Sequence, residues 1–242
     1  MDRLNGLRIA ITGGTSGLGL GLAREWHRRG ARVAFVARTA AGVERVAREL
    51  AGSAGIVGDV ANKTDIHRIA LQVTGRLGGL DVLVNNASSL GPVPLAPLAD
   101  TDCESLEAAL AANLVGPFRL TKALLGALRA SAAEGRGAIV LNISSDAAVN
   151  VYEGWGAYGA SKAALRHLSV IWDAELREVG VRVLSRDPGD MDTPLHALAL
   201  PGADRSTLKH PEDAAHELTL DVLAELRQLA ALRAARTEAE AA

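Results

Sequence analysis

The sequence predicts an α/β fold, a doubly wound parallel sheet with helices on both faces. Three observations point there. Short β-branched runs bounded by Gly, Asn or Asp alternate with longer segments of helical period. The runs are continuously apolar, as strands covered on both faces are. The alternation fills most of the 242 residues without a composition shift, a linker or an internal repeat. It reads as one domain over residues 1–242, long enough to bury a sizeable core.

In chain order, strands are expected at residues 8–12, 32–37, 54–57, 81–85, 138–143 and 181–184. Between them Ile66, Ile69, Val73 and Leu77 recur at spacings of three and four, as do Leu165, Leu168, Trp172 and Leu176. Right-handed crossovers between parallel strands then place helices on both sides. A last helical pattern starts near Pro211 and runs through Leu218, Val222, Leu226 and Leu229. The Ala-, Arg- and Glu-rich stretch from about residue 229 to 242 is expected to fray.

Composition narrows the partners. With 26 Lys+Arg against 28 Asp+Glu and a net charge of −2, there is no electrostatic footprint for nucleic acid or an anionic membrane. Nothing resembles a secretory signal, and no uncharged apolar run reaches the ~18 residues of a span. Cys103 is the one cysteine, so neither a disulfide framework nor a thiolate cluster is available. A soluble, cytoplasmic protein is expected. The six histidines lack paired ligand spacing, and Asp187, Asp190 and Asp192 flank a Pro-Gly turn that explains them. No metal site is expected, and Ser144-Ser145 is not a G-x-S-x-G nucleophile elbow.

The first strand runs into Thr12-Gly13-Gly14-Thr15-Ser16-Gly17-Leu18-Gly19, just before a helix. Such glycines permit a tight turn and close approach of a pyrophosphate, which the helix N-terminus stabilises. A dinucleotide fold places an acid about 20 residues on for the ribose hydroxyls, or a base for a 2′-phosphate. This sequence offers Arg38 and no carboxylate, which favours NADP over NAD; the bland alternative is a solvated arginine.

Asn142-Ile143-Ser144-Ser145 closes the fifth strand, Tyr158-Gly159-Ala160-Ser161-Lys162 opens the next helix, and Asn85-Asn86-Ala87 ends strand four. Over about residues 7–195 the chain resembles a single-domain short-chain dehydrogenase/reductase with a Rossmann sheet. Tyr158 and Lys162 stand at i and i+4, on one helix face. An ammonium beside a phenol is expected to pull its pKa down towards the working pH.

The resemblance implies that Tyr158 is the general acid/base and that Lys162 also holds the nicotinamide ribose. Ser145, thirteen residues before the tyrosine, would hydrogen-bond the substrate oxygen. Asn113 would bend its helix and hold a water linking the lysine to solvent. The implied cofactor contacts are Gly13, Thr15, Ser16, Gly17, Leu18, Gly19, Arg38, Asp59, Val60, Asn86 and Ala87, with Tyr158, Lys162, Pro188, Gly189 and Thr193 at the nicotinamide end. Thr193-Pro194 also reads as a helix cap and first residue. Tyr152 and Trp155 fit either a substrate wall or packing at a helix start, and His196, Leu198 and Leu200 a short lid.

Two departures from the family stand out. Ser88 follows Asn-Asn-Ala where Gly is common, which suggests a local loop adjustment. The usual seventh strand is missing, leaving six. Loss of the interface that strand builds suggests a homodimer through the Asn113 and Tyr158 helices, with a tetramer as the alternative. The function expected is hydride transfer between NADP(H) and a carbonyl or secondary alcohol of a small molecule, mainly as a ketone or aldehyde reductase. A non-catalytic NADP(H)-binding regulator is the alternative.

Overall fold

The structure, a computed structural model, describes residues 4–241. Its strands are β1 (Arg8–Thr12), β2 (Arg32–Ala37), β3 (Ala54–Val57), β4 (Val82–Asn85), β5 (Ala138–Ile143) and β6 (Val181–Arg186). They form one parallel sheet in the order β3-β2-β1-β4-β5-β6. Among the described residues the sheet has the six strands the sequence predicts. Its order reverses between β1 and β4, where loops leaving the carboxyl ends part and open a crevice.

The helices are α1 (Gly17–Arg28), α2 (Ala40–Glu49), α3 (Lys63–Leu77), α4 (Cys103–Leu110), α5 (Gly116–Ala133), α6 (Gly156–Leu176), α7 (Pro194–Ala199) and α8 (Pro211–Ala241). Strand alternation splits the interior into two cores. Ile9, Ile11, Phe35, Val84 and Leu141 point to one face and meet Trp26 of α1, Val46 of α2 and Leu218 of α8. Ala10, Val36, Leu83 and Val140 point to the other and meet Ile69 of α3, Leu124 of α5 and Leu176 of α6. Burial on both sides is why these strands carry no polar alternation. At about 25 cal/mol per Å² of apolar area, the two layers dominate the stabilisation.

Two strand boundaries differ from expectation. β4 starts one residue late because Asp81 turns its carboxylate back to the strand ends. There it accepts from the Arg8 backbone N–H at 2.7 Å, the Arg136 guanidinium at 2.9 Å and the Ser131 hydroxyl at 2.5 Å. β6 continues to Arg186, since an edge strand tolerates polar residues whose charges find partners. Arg186 pairs with Asp221 on α8 at 2.5 Å.

The Ala-, Arg- and Glu-rich stretch from about Leu229 is the last part of α8. α8 stays helical, Leu226 and Leu229 pack on the core, and Arg233 donates to the Ala132 and Ala133 carbonyls at 2.8 and 3.0 Å. Side chains beyond residue 235 lie outside the described residues. Among the described residues no helix is long and apolar enough to cross a membrane.

Candidate active site

The crevice at the switch point is a cavity of about 590 Å³. One end is the turn between β1 and α1. Gly13 and Gly17 there have φ of +68° and +49°, a conformation a side chain would strain. A Cβ on Gly17 would come within 3.1 Å of Thr193, and one on Gly19 would collide with the Gly13 carbonyl. Gly19 therefore does not line the cavity; its role is to let α1 pack against the turn. Ser16 leaves the α1 N-terminus without a side-chain cap, whereas Asn62, Asp102 and Thr193 cap α3, α4 and α7. Free N–H groups facing a glycine cradle fit a diphosphate well.

The floor is held by Thr12. Its hydroxyl accepts from the Asn86 and Ala87 backbone N–H groups at 3.0 Å each, and the Asn86 amide donates to the Thr12 carbonyl at 2.9 Å. Asp59 and Val60 line the cavity at the carboxyl end of β3, with one Asp59 oxygen engaged by the Ala61 N–H. Arg38 lines the same end, exposed and in no ion pair among the described residues. A residue missed in sequence reaches the same turn: Arg45 on α2 donates to the Thr15 carbonyl at 2.6 Å. Only the helical register of α2 reveals it.

At the other end the cavity is lined by Ser145, Trp155, Tyr158, Lys162, Pro188, Gly189 and Thr193. The Thr193 hydroxyl caps α7 by accepting from the His196 N–H at 3.2 Å. Trp155 packs edge-on against the Tyr158 ring, centroids 5.7 Å apart. Tyr152 lies on the rim instead of in the lining; exposed, it donates to Asp146 at 2.5 Å. His196 and Leu198 line the cavity, but Leu200 does not.

Lys162 is buried. Its ammonium donates to the Ile143 carbonyl at 2.8 Å and lies 5.5 Å from the Tyr158 ring centroid. The expectation that it draws the phenol pKa down is corrected. Burial pushes Tyr158 up to about 12, opposed by the hydroxyls of Ser145 and Ser88. Burial likewise pushes Lys162 down to about 8, opposed by the Asp187 charge. Two groups buried together each resist ionisation, and the lysine proton is engaged by a carbonyl. The Tyr158 phenol is thus held in its neutral form over the physiological range.

Asn113 is buried and outside the cavity lining. It sits in a five-residue π-helical turn, Ala111–Val115, between α4 and α5. Such a turn frees backbone groups and often marks a functional site. The side chain is fully used: its amide donates to the Ser89 carbonyl and the Ser161 hydroxyl at 2.7 and 2.8 Å. Its oxygen accepts from the Ser89 N–H at 2.8 Å and the Ser88 hydroxyl at 3.1 Å. Through these bonds the side chain braces the loop after β4.

A parallel sheet whose switch-point crevice joins a glycine turn to a buried tyrosine and lysine has the arrangement of a dinucleotide-dependent oxidoreductase. The profile of the short chain dehydrogenases matches residues 8–201. The chain therefore belongs to the short-chain dehydrogenase family. It is 32% identical over 195 residues to an L-fucose dehydrogenase from Rattus norvegicus, covering 81% of this chain and 70% of that protein. The crystal structure of a 3-ketoacyl-(acyl-carrier-protein) reductase from Brucella melitensis complexed with NADH superposes with a TM-score of 0.83, at 27% identity over 89% of this chain and 90% of that one. A short chain dehydrogenase from Burkholderia cenocepacia J2315 in complex with NADP gives 0.79, at 26% identity and 90% of each chain. No group of three or more His, Cys, Asp or Glu that could hold a metal occurs among the described residues.

Proposed function

We propose that the protein is an NADP(H)-dependent reductase of ketones or aldehydes on small, hydroxylated molecules. One observation carries the reading: a neutral Tyr158 and Ser145 line the same cavity as the Gly13–Gly17 turn. The diphosphate would lie on that turn, held by Thr15, Ser16 and the α1 N-terminus, with Asp59, Val60, Asn86 and Ala87 around the adenosine half. Pro188, Gly189, Thr193 and Lys162 would hold the nicotinamide half. A bound nicotinamide supplies the hydride.

The chain's own residues do the rest. Ser145 donates to the substrate oxygen and steadies its growing charge. In the structure its hydroxyl donates to Asp146 at 3.1 Å, so substrate draws it round. Tyr158 then passes its proton to that oxygen, and the Lys162 ammonium favours the phenolate left behind. Asn113 acts at a distance, by fixing the Ser88-Ser89 loop.

Cofactor preference follows from Arg38. An unpaired guanidinium where a ribose-binding acid would otherwise stand suits a 2′-phosphate, with Arg45 close behind on α2. The substrate end supports the substrate class: Asp146, Asp187 and Asp190 line it, and the only Lys or Arg in the whole lining are Lys162 and Arg38. Carboxylates accept from hydroxyls and repel anions, which agrees with similarity to an L-fucose dehydrogenase. The reading takes the chain as one cytoplasmic domain. It assembles as a homodimer through the outer faces of α5 and α6, where Phe118, Val170 and Ile171 are exposed.

The test is NADPH oxidation over a panel of hydroxylated ketones, aldehydes and their anionic analogues. Turnover of neutral members supports the reading. Tight NADPH binding without turnover of any member would favour the non-catalytic regulator instead.

A further inference from the structure

The Ser145 hydroxyl is held by its own neighbour. It donates to Asp146 Oδ1 at 3.1 Å and accepts from the Ala147 N–H at 3.2 Å, capping the short turn Asp146–Ala148. The other carboxylate oxygen, Asp146 Oδ2, accepts from the Tyr152 hydroxyl at 2.5 Å. Both Ser145 and Asp146 line the cavity, and Asp146 is half-buried. Among the described residues, Asp146 is the one carboxylate lining this end that is bonded to Ser145; Asp187 instead accepts from the Gly189 N–H at 2.9 Å. A carbonyl that takes the Ser145 hydroxyl therefore draws it from a charged acceptor to a neutral one, the weaker bond of the two. A plain ketone also leaves Asp146 Oδ1 without its donor, at the cost of an unpaired, partly desolvated oxygen.

We propose that Asp146 is a specificity-determining residue that selects carbonyls bearing a hydroxyl on the adjoining carbon, that hydroxyl donating to Asp146 Oδ1 while Ser145 turns to the carbonyl oxygen. This rests on the reading of the protein as a reductase with Ser145 on the substrate oxygen, and it narrows the substrate from hydroxylated carbonyls to vicinal ones. The spacing suits it. Ser145 Oγ and Asp146 Oδ1 are about as far apart as the two oxygens of a hydroxy ketone lying on the same side of their carbon–carbon bond, so each protein oxygen meets one substrate oxygen. The incoming hydroxyl replaces the donor that Asp146 gives up, and a site built around such a bond rejects the analogue that lacks it. Asp146 gains and loses no proton. Hydride goes to the carbonyl carbon, the Tyr158 proton goes to its oxygen, and the product is a vicinal diol.

The test is the ratio of kcat/KM for hydroxyacetone to that for butanone, in which a methyl group stands where hydroxyacetone has its hydroxyl. Each ratio is measured with NADPH within one protein, so a general loss of active enzyme cancels. The parent should favour hydroxyacetone, and Asp146→Ala should reduce the ratio by about 10–100-fold, the worth of a hydrogen bond to a charged group. Asp146→Asn, which keeps the shape and loses the charge, should reduce it as well. The homologous ketone with its hydroxyl one carbon further out should gain no such preference from Asp146. A ratio unmoved in both variants overturns the proposal, as does an equal preference for the longer ketone. Turnover of butanone without discrimination overturns the proposal and leaves the reductase reading standing, whereas turnover of none of these ketones or of any other carbonyl removes both.

Discussion

The Lys162 ammonium donates to the Ile143 carbonyl at 2.8 Å, a buried cation held by the end of the strand that also delivers Ser145. Burial lowers its pKa from 10.5 to about 8. For a base, a folded pKa below the unfolded one means that the unfolded chain binds more protons between about pH 8 and 10.5. Stability therefore rises with pH across that window, and the cost of the buried charge is fully present below it. That cost is about 3 kcal/mol at neutral pH. Lys162→Met should be more stable than wild type by a net ~1–2 kcal/mol at pH 7, after about 1–2 kcal/mol for the Ile143 carbonyl left unpaired. Urea denaturation at pH 7 and pH 10 checks it, the advantage shrinking at the higher pH.

The same proton shapes turnover. Loss of the Lys162 charge removes its support for the phenolate, so kcat/KM for NADPH, which reports the free enzyme, should fall above about pH 8. No limb from Tyr158 should appear below pH 10, because its phenol is pushed up to about 12. A profile flat through pH 9 contradicts this.

The proposed preference for NADPH assigns the 2′-phosphate to Arg38, with Arg45 behind it. Arg38→Ala should weaken NADPH by ~10–100-fold, the worth of a charge-assisted contact, while NADH changes little. Arg45→Ala should have a smaller effect in the same direction, since its guanidinium is partly engaged by the Thr15 carbonyl. Calorimetric titration with both nucleotides measures the ratio.

Asp81 ties the amino ends of β1 and β4 to Arg8, Arg136 and Ser131, and their hydrogen bonds hold its carboxyl well below the usual range despite burial. For an acid, a depressed folded pKa means stability present above the unfolded value of about 4 and lost as pH falls below it. Asp81→Asn should cost about 3–5 kcal/mol at pH 7, because it leaves two arginines without their carboxylate. The deficit should narrow as acid protonates Asp81 in the parent.

The strands were legible in sequence because burial on both faces writes itself as continuous apolar runs. Asp81 and Arg186 shifted two boundaries because their partners, on Ser131 and α8, are distant in sequence. The glycine turn, Ser145, Tyr158 and Lys162 could be read as motifs. What sequence hid depends on three-dimensional surroundings: the direction of the Tyr158 pKa on burial, the reach of Arg45 on the register of α2, and the place of Ser88 on the π turn at Asn113. Tyr152 fits in sequence either a substrate wall or packing at a helix start; in the structure it stands exposed at the rim, where its hydroxyl donates to Asp146.

The role of Tyr158 as proton donor is the centre of this account, and Tyr158→Phe tests it most directly. Steady-state NADPH oxidation on a turned-over carbonyl should fall by about 10²–10⁴ in kcat, with the NADPH dissociation constant within about twofold of wild type. A Phe variant that keeps its kcat would contradict it.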